Sequence, residues 1–222
     1  FFKLLKPLIP GNIQYFSFWY FICFYLQLFF SFKILKKFTN SDLYSIIGSI
    51  FFLIAPIFIF RVNWHGSFAG HWLLLIALYL GLLQKIDKSK FLWILLIILA
   101  SLVEYSSMIM ILAVYSLLRI FNLKFNKNDI LKLVKDFFII SALLLSTLYL
   151  MGYFEVRFAD TLGVGFGNYK LNLLSIFDPV NSFAGISWSW FLPDIKLSKA
   201  EELEGFNYLG LGQILLLLFA FF

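Results

Sequence analysis

Between Lys90 and Arg119 the chain carries a single charged side chain, Glu104. Runs of about 18 or more apolar residues are long enough to cross a bilayer. A chain that enters lipid must satisfy its backbone amides and carbonyls internally, which only helices and closed barrels do. None of the apolar segments alternates as a membrane β-strand would. The expected fold is therefore all-α, a polytopic helical membrane protein. Seven helical spans are expected, near 15–35, 43–61, 67–84, 91–103, 106–120, 134–152 and 209–222.

Composition points the same way. Apolar residues make up 62% of the 222 and charged residues only 14%, against about 25% charged in soluble domains. The net charge of +6 resides on lysines that flank spans, so nucleic acid is not the expected partner. The one cysteine, Cys23, lies inside an apolar run and cannot form an internal disulfide. It reads as packing filler. The sequence begins at Phe1 and ends within an apolar run, so residues 1–222 read as one membrane domain within a longer protein.

Basic residues set the orientation. Lys33, Lys36 and Lys37 follow the first span; Lys85, Lys88 and Lys90 follow the third; Arg119, Lys124, Lys127, Lys132 and Lys135 follow the fifth. The positive-inside rule puts all three groups on one side. A single helix over 91–120 would be about 45 Å long and would separate the last two groups. A break near "SLVEYSS" turns it into a hairpin with Glu104 at its apex, and both groups stay inside. Residues 153–208 are then the long outer loop. It holds seven of the twelve acids against four basic residues.

Candidate chemistry gathers on the outer side. In "FRVNWHGSFAGHW", Arg61 and His65 suit an anionic phosphate, a guanidinium and an imidazole at one rim. Arg61 is equally read as a snorkelling interfacial cation, and His71 as a helix–helix hydrogen-bonding group. No metal-ligand spacing accompanies the two histidines. Glu104 is either a functional intramembrane acid or a water-facing apex group. In "EVRFAD", Asp160 and Glu155 are potential bases and Arg157 a phosphate clamp, or all three are solvated charges. Gly163, Gly165 and Gly167 lack the strand–helix context and spacing of a dinucleotide loop.

The segments "GFGNYKLNLLSIFDP" (165–179), "FLPD" (191–194) and "EGFNYLGLG" (204–212, beginning at Glu204) resemble a largely uncharacterised group of bacterial polytopic membrane proteins related to GT-C-type glycosyltransferases. The likeness extends more weakly to "APIFIFRVNWHGSFAGHWLLL" (55–75). It implies a GT-C-like bundle that transfers a sugar from a polyprenyl-phosphate donor to a glycan or lipid acceptor on the outer face. It further implies a bacterial inner membrane location with 153–208 periplasmic. On that pattern Arg61, His65 and Arg157 hold the leaving phosphate. Tyr169, Asn172, Trp188 and Trp190 line the sugar pocket, and Asp160 or a carboxylate upstream of Phe1 acts as base. Residues 1–14 resemble the tail of the family's catalytic loop, with Lys3 and Lys6 but no acid. The family's His-Pro-Tyr-like step at the hairpin apex is replaced by Glu104–Tyr105. The resemblance fixes no cofactor, and a divalent metal is compatible with it. The competing readings are a transporter or flippase for lipid-linked glycans, or a non-enzymatic assembly protein.

Overall fold

Three of the described helices start on or just after an acid or asparagine, at Asp42, Glu104 and Asn126, and proline or an isolated acid marks two of the breaks, at Pro56 and Glu104. The computed structural model describes residues 15–83, 89–124, 126–155, 173–181, 185–195 and 206–221. Helix α1 is Tyr15–Phe38, with Lys36 and Lys37 in its last turn, where cations complement the helix dipole. Helix α2, Asp42–Leu53, starts with an acid. Lys36 and Asp42 join the two ends at 2.6 Å.

The expected span 43–61 is two helices, not one. α2 stops at Leu53 and α3, Pro56–Trp64, begins on proline. Proline supplies no amide and disfavours helical backbone in the residue before it, so it opens a helix and does not continue one. The span near 67–84 likewise divides, into a 3₁₀ segment Gly66–His71 and α4, Trp72–Leu83.

The break inside 91–120 is found where the sequence puts it. α5, Lys90–Val103, and α6, Tyr105–Phe121, are separated by Glu104 in extended backbone, φ −156° and ψ 124°. Glu104 N donates to the Ala100 carbonyl at 2.8 Å, and its own carbonyl accepts from Met108 N at 3.1 Å. One residue thus ends the first helix and starts the second.

α7, Lys127–Leu150, begins seven residues before the apolar run. Asn126 Oδ1 accepts from Asp129 N at 2.8 Å, which satisfies one free amide of the first turn. α8 is Leu211–Phe221. By length and apolarity, α1 and α7 can each cross a membrane, and α2 with α3 would make a third span.

The residues divide into two compact units. One comprises Phe1–Leu53 and Trp64–Val156, the other Ile54–Asn63 and Arg157–Phe222. In the first unit the burial pattern is the reverse of a soluble helix pair. α1 buries Cys23, Gln27, Ser31 and Ile34, one face at helical spacing, while Phe21 is 69% exposed. α2 buries Ser45 and Ser49 and exposes Tyr44, Ile46 and Ile47. The hydroxyls are satisfied within their own helices: Ser31 Oγ donates to the Gln27 carbonyl and Ser49 Oγ to the Ile46 carbonyl, both at 2.7 Å. Small residues then let the backbones approach.

Contacts define two ends of this unit. At one, Trp19 Nε1 donates to the Gly66 carbonyl at 2.7 Å, and a methyl group on Gly70 would lie 2.9 Å from Val103. At the other, Phe30 meets Tyr79 with ring centroids 6.1 Å apart, and a methyl on Gly81 would lie 2.9 Å from Leu118. Glu104 belongs to the first end; Lys90, Arg119 and the end of α1 belong to the second.

The second unit packs Phe60 of α3, Phe206, Tyr208 and Ile214 into a small core, with Trp188, Leu192 and Leu209 against it. A two-residue antiparallel ladder, β1 (Val180–Asn181) with β2 (Ile186–Ser187), pairs Val180 with Ser187. Leu209 N donates to the Ile176 carbonyl at 3.2 Å, which ties "LLSIFDP" to "FNYLGLG". The backbone at Gly210 has φ +94°, and a side chain there would meet the Pro56 ring at 3.2 Å.

Candidate functional site: a guanidinium on an aromatic cluster, and an aromatic cavity

In the second unit, the last turns of α3 carry Phe60 and Arg61 side by side. The Arg61 guanidinium carbon lies 5.9 Å from the Phe60 ring centroid, within cation–π range. Phe60 packs on Phe206 at 4.9 Å, and Phe206 packs on Trp188 at 5.5 Å and Tyr208 at 6.4 Å. Two sequence-predicted residues, Arg61 and Trp188, therefore share one cluster although 127 positions separate them. The Trp188 Nε1–H is buried and finds no acceptor among the described residues. Buried donors are rarely left so.

Trp190 is not part of that cluster. It is 95% exposed and meets only the Phe191 ring, at 5.8 Å, among its described ring contacts. Ser189 Oγ accepts from Phe191 N and Leu192 N, at 3.2 and 3.3 Å. That turn swings Leu192 to the core side and leaves Trp190 outside.

Behind Trp188, its amide donates to the Pro179 carbonyl at 2.9 Å. Asp178 is buried and its Oδ1 accepts from Val180 N at 3.0 Å, an Asx-type turn. Sequence reasoning quoted this aspartate within "SIFDP" without assigning it anything. The proline that follows it was the available signal, since Asp-Pro favours turns.

In the first unit, a cavity of about 220 Å³ opens between the start of α1, the Gly66–Ser67 turn and the end of α5. Tyr15, Phe16, Trp19 and Val103 supply most of its apolar wall. His65 and Glu104 directly adjoin lining residues in sequence. The exposed His65 ring is edge-on to Phe68 at 5.4 Å, and its carbonyl accepts from Phe68 N at 2.9 Å. Glu104 is half-buried and accepts from Ser106 Oγ at 3.3 Å. His71 closes the 3₁₀ segment, half-buried. Asp160, Arg157, Tyr169, Asn172 and Glu204 lie outside the described residues. Among the described residues no three His, Cys, Asp or Glu side chains are grouped to hold a metal.

The unit's second end carries an arrangement that sequence reasoning missed. Asp136 is buried in α7 and accepts from Lys90 Nζ, at the start of α5, and from Arg119 Nη2, near the end of α6, the latter at 2.9 Å. One carboxylate thus joins three helices. The signal was present, because Asp136 is the lone acid inside the apolar run 134–152.

Residues 1–222 match a family model described as a domain of unknown function, DUF6311. No curated protein and no solved structure matches the chain.

Proposed function

The chain belongs to the DUF6311 family, and we propose that it is a multi-pass membrane protein of the bacterial inner membrane. In this reading it transfers a sugar from a polyprenyl-phosphate donor to a glycan or lipid acceptor on the outer face. The observation that carries the reading is the Arg61–Phe60–Phe206–Trp188 cluster. An aromatic face supports the apolar face of a sugar ring, and a neighbouring guanidinium suits the phosphate that leaves it. The acceptor oxygen attacks the anomeric carbon as the carbon–oxygen bond to phosphate breaks. The bond's electron pair leaves with the polyprenyl phosphate, and a carboxylate takes the acceptor's proton.

The membrane placement is supported by α1 and α7, each long and apolar enough to span, and by their exposed apolar faces. The aromatic cavity beside Glu104 adds an amphipathic recess at the end opposite the lysines. A transport reading asks for ionisable groups at half depth on broken helices. The α2–α3 break at Pro56 meets half of that demand, but Asp136 lies at the lysine end.

The test is transfer from a radiolabelled polyprenyl-phosphate sugar by the full-length protein in vesicles. Arg61→Ala should lower transfer by at least about tenfold, with Arg61→Lys intermediate because it keeps the charge and loses the fork. Unchanged transfer in a correctly inserted Arg61→Ala protein removes the phosphate role. Movement of the donor across the bilayer without transfer replaces the enzyme by a flippase.

A further inference from the structure

The second end of the first unit collects nine described cations, Lys33, Lys36, Lys37, Lys90, Arg119, Lys124, Lys127, Lys132 and Lys135, against three described carboxylates. All three carboxylates are already engaged. Asp42 pairs with Lys36 at 2.6 Å, Asp129 with Lys132 at 3.5 Å, and Asp136 with Lys90 and Arg119. Lys124, Lys127 and Lys135 are exposed and have no ion pair among the described residues. Lys124 and Lys127 stand at the α6–α7 corner, and Lys135 follows about two turns along α7.

The same corner is strongly apolar on its outer surface. Phe121 is 84% exposed, Leu131 57%, Val134 60% and Phe138 75%. At 100° per residue, Leu131, Val134 and Phe138 share one stripe of α7. Lys135 and Lys132 lie along one edge of that stripe, and Asp136 faces the opposite way, into the protein. A helix whose apolar stripe meets acyl chains while its lysine edge meets headgroups has the layout of an interfacial amphipathic segment. At about 36 Å, α7 is also longer than the hydrocarbon core, so its first turns reach the headgroup layer.

We propose that this corner is a binding site for anionic phospholipid headgroups, with Lys124, Lys127 and Lys135 as the phosphate-contacting residues. The Asp136 pairs to Lys90 and Arg119 fix α7 against the hairpin, so the lysines are presented on a held surface. Charge complementarity selects an anion, and the continuous apolar stripe selects one that carries acyl chains. This rests on the membrane placement proposed above and not on sugar transfer, so either can fail alone.

The probe is native mass spectrometry of the detergent-solubilised full chain, titrated with phosphatidylglycerol and with phosphatidylcholine of the same acyl chains. Soluble glycerol phosphate serves as the headgroup-only arm. Phosphatidylglycerol should bind in preference. The triple substitution Lys124→Gln, Lys127→Gln and Lys135→Gln should weaken it roughly a hundredfold, at about fivefold per lysine near a charged leaflet. The triple arginine variant should retain binding, and if the glutamine triple does not fold, Lys135→Gln alone should show the fivefold loss. Equal binding of the two lipids, retained preference in the glutamine variants, or displacement by glycerol phosphate at the lipid's own concentration each overturns the proposal.

Discussion

Trp93 and Tyr115 face one another with ring centroids 5.5 Å apart, each eleven positions from Glu104. In an unbroken helix their Cα atoms would be about 33 Å apart. Their contact is thus the direct consequence of the break at Glu104, which folds α6 back along α5. Both side chains are fully buried, at 0% and 1% exposure. Trp93→Ala should therefore cost about 3–5 kcal/mol, as large-to-small core substitutions do. Leu95→Ala, on the exposed side of the same helix, should stay within about 0.5 kcal/mol. Detergent-driven unfolding followed by circular dichroism measures both. Equal losses for the two substitutions would mean the hairpin is not held through this pair.

Asp136 carries the second expectation. A buried carboxylate that loses its charge leaves its partner cation uncompensated, and such losses run to about 3–5 kcal/mol. The Arg119 side chain is only 10% exposed and bears this penalty; Lys90, at 34%, can recover water. Asp136→Leu should destabilise the protein by that amount. The double variant Arg119→Leu, Asp136→Leu should lose less than Asp136→Leu alone, because no buried charge remains. Asp42→Asn removes the exposed partner of Lys36 and should cost no more than about 1 kcal/mol. The same unfolding assay ranks the three, and a double variant weaker than Asp136→Leu would contradict the buried-pair account.

How legible this was in the sequence differs from element to element. The break at Glu104 follows from two coarse quantities, the length of a 30-residue helix and the sidedness of lysines, and the structure has it at the residue expected. The break before Pro56 escapes a hydropathy reading because apolar residues continue on both sides. Only the missing amide of proline announces it. Hydropathy likewise starts the sixth segment at 134, although Asn126 and Asp129 already mark a capped helix start at Lys127. The grouping of Arg61 with His65 was an argument from adjacency in one turn. What adjacency does not encode is the long-range part: Arg61 packs on Phe60, whose ring meets Phe206 more than a hundred positions away, and His65 stands edge-on to Phe68. No local pattern encodes the docking of "FNYLGLG" against "LLSIFDP", because that contact is made by backbone groups common to every sequence.

The last expectation concerns which ends of the first unit share a compartment. The Trp19–Gly66 and Gly70–Val103 contacts fix one end, and the Phe30–Tyr79, Gly81–Leu118 and Arg119–Asp136 contacts fix the other. Lysines crowd the second end, and the proposed membrane placement, read with the positive-inside rule, expects that end in the cytoplasm. Cys23 is fully buried in α1, so a Cys23→Ser background frees the chain of its own thiol. In that background, cysteines replacing Lys37 and Lys127 should resist a membrane-impermeant maleimide added to intact cells. Cysteines replacing His65 and Tyr105, both exposed at the opposite end, should react. Should Lys37→Cys and Lys127→Cys label from different sides, α1 and α7 cannot carry their lysines to one face, and the proposed lipid corner and outer-face chemistry both lose their basis.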